Sequence, residues 1–194
     1  RTPLRSRLPP IEMRLGTTRG TNALLERKGA AVVFFVTAGF GDLLTIGNQA
    51  RPDLFALDIQ KPEPLYREVV EIPERLTADG SVLLPLEVDA ARRLAREVRA
   101  RFVEVPCAAA VALLHSVVES RHEEALGAIL REEGFEHVAL SSRLARSIKI
   151  LPRAETAVVE AYLAPVLAGY LAGVSAALTS HLDPGPGAAR SSLH

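Results

Sequence analysis

The chain has 194 residues, of which 48% are hydrophobic and 24% are charged, and its 23 basic side chains balance 23 acidic ones. This length suits one domain of ordinary size or two small ones, and the apolar share is too high for a disordered chain. Because a net charge of zero creates no broad cationic field, nucleic acid is not expected as a partner.

The two ends of the chain are expected to lie outside the folded domain. The opening RTPLRSRLPP is cationic and then rich in proline, whereas a secretory signal needs a continuous apolar stretch. We therefore interpret residues 1–14 as a linker or a truncated edge. Residues 179–194 combine Gly, Pro and Ser, so they bury too little surface to offset the entropy of ordering, and a flexible tail is expected. The predicted domain covers residues 15–178.

The first predicted element is a strand. Ala30–Thr37 is a continuous run of apolar residues, most of them β-branched or aromatic, which is typical of a strand buried on both faces of a sheet. A short helix is expected at about Phe40–Ile46. Prolines in the following stretch, 48–66, exclude a regular helix and favour an extended excursion.

Two short apolar segments come next, Val69–Ile72 and Val82–Leu84. The stretch between them contains an Asp79-Gly80 pair, which is a strong turn signal. The spacing therefore predicts that the two segments pair as an antiparallel hairpin.

The rest of the chain alternates helix and strand. Glu87–Arg101 places apolar residues at helical spacing. Ala108–Leu114 is ambiguous by periodicity, and we assign a strand because a helix start follows soon after. His137–Leu140 is the next short strand, and a long helix is predicted over about Ala154–Gly173. The alternation predicts an α/β domain whose sheet is mixed but mostly parallel, with flanking helices.

The helix between the last two predicted strands has its own start and stop signals. Ser120 and Glu123 fit a capping box, in which the serine oxygen accepts a first-turn amide and the glutamate reaches back to the cap. Leu126 and Leu130 supply an apolar face. Gly134 can end the helix in the left-handed conformation.

The segment Ala157–Leu178 is apolar over about the length that spans a bilayer. Glu160, Pro165 and the lack of a basic cluster or aromatic belt at its ends favour a buried core helix, kinked at the proline, over a membrane helix. No membrane is therefore expected as a partner.

Glycines and threonines precede an apolar helical pattern in LGTTRGTNALLERKG, Leu15–Gly29. Free backbone amides at the start of a helix favour anions, so the stretch is a candidate site for a phosphate or a charged substrate. An ordinary helix cap made by Thr21 or Asn22 explains the same residues, and the Gly-Lys-Ser/Thr ending of a P-loop is missing. The residues alone leave both interpretations open.

Three other side chains need an interpretation. Cys107 is the single cysteine and precedes an Ala/Val run, so it is expected to be a small buried residue. His115 follows an apolar strand and either faces a cleft as a proton donor or has only a structural role. His115 and His122 have no third ligand nearby in the sequence, so no metal site is expected.

Several of these stretches, taken in order, resemble the N-terminal region of the hydantoinase A and oxoprolinase family. The likeness covers about Leu15–Leu171. It consists of GTTRGTNALLERKGA, TAGFGDLLTIGNQARPDLFALDIQKPEPL, VEIPERLTADGSVLLPL, LLHS with HE shortly after it, LSS, and TAVVEAYLAPVL. Because so many segments match in order, the resemblance is far more specific than any single motif.

This resemblance implies an ATP-dependent enzyme that opens cyclic amides such as hydantoins and oxoproline, with carboxylase relatives that act on ketones. It also implies the fold of the actin-like (ribonuclease H-like) ATPases, in which nucleotide binds between two lobes. In such an enzyme ATP phosphorylates the ring amide oxygen, which prepares the carbonyl for attack by water, and Mg²⁺ screens the phosphates.

The same resemblance indicates which residues lie beside phosphates or substrate. They are the members of the glycine-threonine stretch that match the family's motif: Gly16, Thr17, Thr18, Thr21 and Asn22. Weaker candidates for lining the cleft are Arg51 and Asp53, in the RPDLF match, together with His115.

Two glycine-rich nucleotide segments of the family have no counterpart in this sequence, one upstream of the GTT segment with the form D-x-GGT-x-x-D and one downstream. We therefore expect the chain to supply one wall of the cleft, to bind no cofactor tightly alone and to be inactive alone. Its expected partners are the remainder of its own polypeptide, a hydantoinase B-type subunit and, as a homo-oligomer, further copies of itself, in the cytoplasm. The alternatives are a subunit of a ketone carboxylase and a non-catalytic assembly domain.

Overall fold

The structure is a computed structural model that describes residues 14–48, 62–102 and 107–181. In chain order its elements are α1 (Arg19–Leu25), β1 (Ala31–Thr37), α2 (Leu43–Ile46), β2 (Glu68–Ile72), β3 (Arg75–Leu76), β4 (Val82–Leu84), α3 (Val88–Arg99), a 3₁₀ turn (Ala100–Phe102), β5 (Cys107–Ala112), α4 (Arg121–Glu132), β6 (His137–Leu140), α5 (Ser141–Leu144) and α6 (Ile150–His181). Almost all of the predicted linker and tail lies outside the described residues.

Four strands form a parallel sheet in the order β2-β1-β5-β6. At its centre Phe35 lies opposite Val70 on one side and Val111 on the other. Every residue of β1 and β5 is buried, because both strands have neighbours on each side and helices on each face. The α/β class and the predicted strands at β1, β5 and β6 are confirmed.

The predicted hairpin between Val69–Ile72 and Val82–Leu84 is wrong. The first segment belongs to β2, which pairs in parallel with β1, and the second is β4, which pairs antiparallel with β3. Val70 and Ile72 are buried in the main sheet, whereas the side chains of β4 are exposed. The predicted turn is present, with Gly80 at φ +86°, but it joins β3 to β4.

Helices cover both faces of the sheet. α3 and α4 pack over one face, against residues that include Val33 and Phe35, and α6 packs with α1 and α2 over the other, against Val32 and Phe34. Cys107 is buried on the first face, as predicted, and burial raises the pKa of its thiol to about 11. The thiol therefore stays protonated at neutral pH and acts as a small core residue.

α4 begins after Ser120, as predicted, but the predicted capping box is wrong. Ser120 Oγ donates to the carboxylate of Glu124 at 3.2 Å and makes no capping bond to a first-turn amide. Glu123 is fully buried and reaches into the interior, because it shares a helical face with Leu126 and Leu130. After α4, Gly134 adopts φ +88°, which is the predicted left-handed stop.

α6 has 32 residues and extends beyond the predicted helix at both ends, with Pro165 inside it. Its first half packs on the sheet through Ala154, Ala157, Val158, Ala161 and Tyr162. Over residues 168–178 its side chains are half-buried or exposed, so the prediction of a buried core helix describes only the first half. By length and composition alone, the stretch Ile150–Leu178 could also cross a bilayer.

Candidate functional site

The order in which strands join the parallel sheet reverses at β1. β1 is followed by β2 on one side of it, and the next strand of this sheet, β5, lies on its other side. In open α/β sheets ligands bind outside the carboxyl ends of the strands at such a reversal. The polar residues that follow β1, β2, β5 and β6 are therefore the first place to look for a site.

A buried carboxylate and a buried guanidinium are joined there through two serine hydroxyls. Ser141 Oγ donates to Glu123 Oε1 at 2.7 Å, and Ser116 Oγ lies 3.1 Å from the same oxygen. Arg153 Nη1 donates to both hydroxyls at 2.6 Å. All four side chains, which we call the ionic cluster, have at most 1% of their surface exposed.

The ionic cluster also holds the backbone at the ends of β5 and β6. Glu123 accepts the amide of Leu113 at 3.1 Å and the amide of Ser142 at 2.8 Å, and Arg153 Nη2 donates to the Leu113 carbonyl at 3.1 Å. Burial lowers the pKa of the Arg153 guanidinium, an effect that Glu123 opposes. Within the described residues, Arg153 Nε and Ser142 Oγ are buried without a hydrogen-bond partner, so a further polar atom would be accepted there.

A second buried polar chain crosses the end of β1. The Thr37 hydroxyl donates to Glu74, whose other carboxylate oxygen lies 2.7 Å from Nδ1 of His122. The Leu114 amide donates to the Thr37 hydroxyl oxygen at 2.8 Å. This second chain ties the end of β2 to α4 across the reversal point.

His115 lies in the turn that these two polar chains hold. Its backbone has φ +59°, a conformation that residues other than glycine adopt at an energetic cost. Its neighbours Leu113, Leu114 and Ser116 are all fixed by the contacts above. The imidazole is half-buried at the carboxyl end of β5, and its role as a cleft-facing proton donor stays a prediction. Strain held in place by its surroundings is common at functional sites.

The strain at His115 gives a stability prediction. We expect His115→Gly to raise the free energy of unfolding by up to about 1 kcal/mol, because glycine adopts positive φ without penalty. His115→Val should lower it by about 1–2 kcal/mol, because a β-branched residue fits this conformation worst. Urea denaturation of the three proteins checks both signs. His137→Gly, in the regular strand β6, is the matched control and should lose about 0.5–1 kcal/mol; equal losses at 115 and 137 would contradict the strain.

A cleft of about 540 Å³ opens beside this region, at the carboxyl ends of β1 and β2. It is lined by the loop after β1 and by one residue of β2: Gly39, Phe40, Gly41, Asp42, Leu43, Ile46, Gly47 and Glu71. The sequence analysis did not assign these residues to a site, although GFGDLLTIG lies within the stretch TAGFGDLLTIGNQARPDLFALDIQKPEPL that contributes to the family resemblance.

The glycine-threonine stretch is accessible but has few internal bonds. Gly16, Thr17, Thr18, Thr21 and Asn22 are all exposed. α1 begins at Arg19, so Thr21 and Asn22 lie within the helix and do not cap it, which overturns the alternative of an ordinary cap at those positions. Thr17 Oγ1 accepts the Arg19 amide at 3.2 Å, and the Thr18 side chain makes no capping bond.

This stretch lies at the opposite edge of the sheet from His115. α6 begins at the carboxyl edge, where Arg153 contacts the end of β5, and reaches the amino edge at Tyr162, whose carbonyl accepts the Ala30 amide at 3.0 Å. α1 packs farther along α6, where the Arg19 guanidinium lies 5.0 Å from the centre of the Tyr170 ring. Arg153 and Tyr170 are about 25 Å apart along a helix that rises 1.5 Å per residue. The structure therefore does not bring the two sets of candidates together.

The remaining predictions concern Arg51, Asp53 and metal binding. Both side chains lie outside the described residues. Across residues 14–48, 62–102 and 107–181 there is no group of three or more His, Cys, Asp or Glu side chains that could hold a metal ion.

The site thus defines an α/β protein with a buried polar network at the reversal point of a parallel sheet. Residues 9–134 match the hydantoinase/oxoprolinase N-terminal region. The chain belongs to the hydantoinase/oxoprolinase family, and the resemblance drawn from the sequence is confirmed.

Named relatives and a solved structure agree with this family. The chain is 39% identical over 193 residues to 5-oxoprolinase 1 of Arabidopsis thaliana, a match that covers 88% of this chain and 15% of that protein. It is 32% identical to the acetophenone carboxylase gamma subunit of Aromatoleum aromaticum, covering 80% of this chain and 23% of that subunit. The ATP-dependent caprolactamase of Pseudomonas jessenii superposes with a TM-score of 0.74 at 28% identity, over 87% of this chain and 25% of that one.

The chain is much shorter than these relatives. It spans about 15% of the length of the curated oxoprolinases it matches.

Proposed function

We propose that this chain supplies one wall of the nucleotide and substrate cleft of an ATP-dependent enzyme that hydrolyses cyclic amides. The family membership carries this proposal, and the polar network at the reversal point of the sheet supports it. The proposed whole has the two-lobed fold of the actin-like ATPases, of which residues 15–178 form one domain. It acts in the cytoplasm with the remainder of its polypeptide and a hydantoinase B-type subunit, and it self-associates.

Within this proposal the glycine-threonine stretch contacts phosphate or substrate through the exposed Thr18 and Thr21 hydroxyls. Their exposure and the absence of a capping bond from Thr18 leave these groups accessible to a ligand. They fit only part of a nucleotide site, because the guanidinium beside them, that of Arg19, lies over the Tyr170 ring. A second surface, on another part of the polypeptide, completes the site for ATP and Mg²⁺.

His115 and the two buried polar chains belong to the substrate side of the same proposal. An imidazole at the carboxyl edge is suited to donate a proton to a ring nitrogen when the amide bond breaks. The distance between this edge and the glycine-threonine stretch implies that a single small molecule does not span both within this chain.

Calorimetry with ATP and Mg²⁺ tests the proposal at two levels. We expect the 194-residue chain to show no binding tighter than about 1 mM, or roughly 4 kcal/mol, because the second surface of the proposed site is absent from it. In the longer protein with its partner subunit, ATP turnover should depend on a cyclic amide. Thr18→Val combined with Thr21→Val should then lower kcat/KM for ATP at least about tenfold, whereas the exposed Thr156→Val should not. Micromolar binding of ATP by the chain alone would contradict the partial site.

One observation favours a second candidate function. The match to a subunit of acetophenone carboxylase covers 80% of this chain. ATP turnover that requires a ketone and bicarbonate would select this carboxylase function over amide hydrolysis. A longer protein that binds no nucleotide would select the non-catalytic assembly role.

A further inference from the structure

The loop that follows β1 builds a cleft whose chemistry the proposed nucleotide contacts do not use. Its cavity of about 540 Å³ is open to solvent at the carboxyl edge. It lies on the substrate side of the sheet as assigned above, far from the glycine-threonine stretch.

One wall carries a carboxylate in a fixed orientation. Glu71 Oε1 accepts the amides of Gly39 and Gly41 at 3.0 and 2.8 Å. Glu71 is anchored in β2, directly opposite Val36 of β1, so both ends of the side chain are held. Among the described residues Oε2 has no hydrogen-bond partner, which leaves a carboxylate acceptor available to the cleft.

The two glycines are what allow this arrangement. Gly39 has φ +86°, and a Cβ on Gly41 would lie 2.9 Å from Glu71 Oε1. Any side chain at Gly41 would therefore displace the Glu71 carboxylate from the two amides that it accepts. The amides of Gly39 and Gly41 and the Glu71 carboxylate therefore form one preorganised group in the lining of the cleft.

The rest of the lining is apolar or accepts hydrogen bonds. Phe40, Leu43 and Ile46 supply hydrophobic surface, and Asp42 is a second carboxylate. Within the described part of the chain, the guanidinium of Arg75 donates to the Ala38 carbonyl at 2.8 Å and lies 5.4 Å from the centre of the Phe40 ring. An anion would meet two carboxylates here, whereas a compact apolar body with an N–H group would find both apolar contact and an acceptor.

We propose that this cleft is a binding site for a small ring carrying an N–H donor, which Glu71 Oε2 accepts. The proposal rests on the proposed function in one respect, namely that the N–H belongs to the cyclic amide to be opened. Glu71 then orients the ring nitrogen and takes no part in bond breaking, so it is a positioning residue.

The test is a titration of the ¹⁵N-labelled 194-residue chain with 2-pyrrolidinone, followed through the amide signals of Gly39 and Gly41. Saturable shifts of both signals are expected. N-methyl-2-pyrrolidinone has the same ring without the N–H, and it should bind at least about tenfold more weakly, because the carboxylate loses its donor. Equal binding of the two lactams would overturn the proposal.

Two variants separate the carboxylate from the rest of the cleft. Glu71→Gln keeps the size of the side chain but places an amide group where the acceptor was, so 2-pyrrolidinone should bind at least about tenfold more weakly. Glu97→Gln, on the exposed surface of α3, is the matched control and should bind like the original protein. Undiminished binding by Glu71→Gln would contradict the role of Glu71.

The charged analogue pyrrolidinium distinguishes a cyclic amide from an amine. Preference for 2-pyrrolidinone supports the cyclic amide, and tighter binding of pyrrolidinium would overturn that assignment. The test of this cleft is separate from the test of the proposed function. If a longer protein uses ATP with a cyclic amide but the Gly39 and Gly41 signals do not shift with 2-pyrrolidinone, only the binding site proposed in this cleft is overturned.

Discussion

Replacing Glu123 by alanine is expected to lower the free energy of unfolding by about 3–5 kcal/mol, because the buried Arg153 guanidinium would lose its counter-charge. The loss is large relative to the total stability of an ordinary domain, about 5–15 kcal/mol. Equilibrium denaturation, monitored by circular dichroism, measures it. The same change would free the Leu113 and Ser142 amides that the carboxylate now accepts.

The adjacent Glu124 supplies the control for this prediction. Glu124 is exposed and contacts Ser120 and Arg143 at the surface, so Glu124→Ala should cost at most about 1 kcal/mol. Replacing both members of the buried pair, Glu123→Leu with Arg153→Met, should recover much of the loss, because no unpaired charge then remains. If Glu123→Ala were as stable as Glu124→Ala, the ionic cluster would not stabilise the carboxyl edge.

The second large effect is expected at Gly29, between α1 and β1. A Cβ there would lie 2.2–2.4 Å from ring atoms of Tyr162, which is well inside contact distance. Gly29→Ala should therefore lower the free energy of unfolding by about 1–3 kcal/mol or more, since the buried ring and the α6 backbone bonded to Ala30 cannot both stay in place. Thermal and urea denaturation give the measurement.

Gly169 offers a control of opposite sign. It lies in the interior of α6, and a Cβ added there would meet no heavy atom within 4 Å outside its own helical turn. Gly169→Ala should therefore stabilise the protein by about 0.5–1 kcal/mol. A double-mutant cycle of Gly29→Ala with Tyr162→Leu should show a coupling energy of at least about 0.5 kcal/mol. Two alanine variants that both gain stability would show that α1 does not pack on α6 as described.

Local sequence patterns could predict most of the sheet. The apolar runs at β1 and β5 identify strands that are buried on both faces, and Gly80 and Gly134 mark turns whose positive φ favours glycine. The partner of β2 could not be predicted, because Val69–Ile72 has the same pattern whether it pairs with a following segment or with β1. That choice depends on burial beneath α3, which is a long-range property.

The buried network can be predicted only in part. Glu123 is three and seven residues before Leu126 and Leu130, so helical spacing already places it on the buried face of α4. The capping-box pattern predicts the opposite, because it considers only the first turn. Arg153 likewise shares the buried face of α6 with Ala157 and Ala161. No local pattern reveals that these two charges meet through Ser116 and Ser141, since four separate segments contribute.

The location of α1 is beyond sequence reasoning for a related reason. The residues alone place the glycine-threonine stretch at the head of a helix, but its distance from His115 follows from where α1 docks on α6. That docking brings Gly20 so close to α6 that an added Cβ would lie 3.7–3.9 Å from side-chain carbons of Leu163 and Leu167, more than 140 residues away along the chain. No local sequence pattern marks this approach.

α6 is a single long helix that connects two distant regions of this protein. One end holds the turn of His115 through Arg153, and the other carries α1. Pro165 lies between the two ends of α6 and has no amide hydrogen to donate to the Ala161 carbonyl. The helix therefore bends at Pro165 with the smallest energetic cost. A bend at Pro165 would therefore change the distance between the turn of His115 and the glycine-threonine stretch.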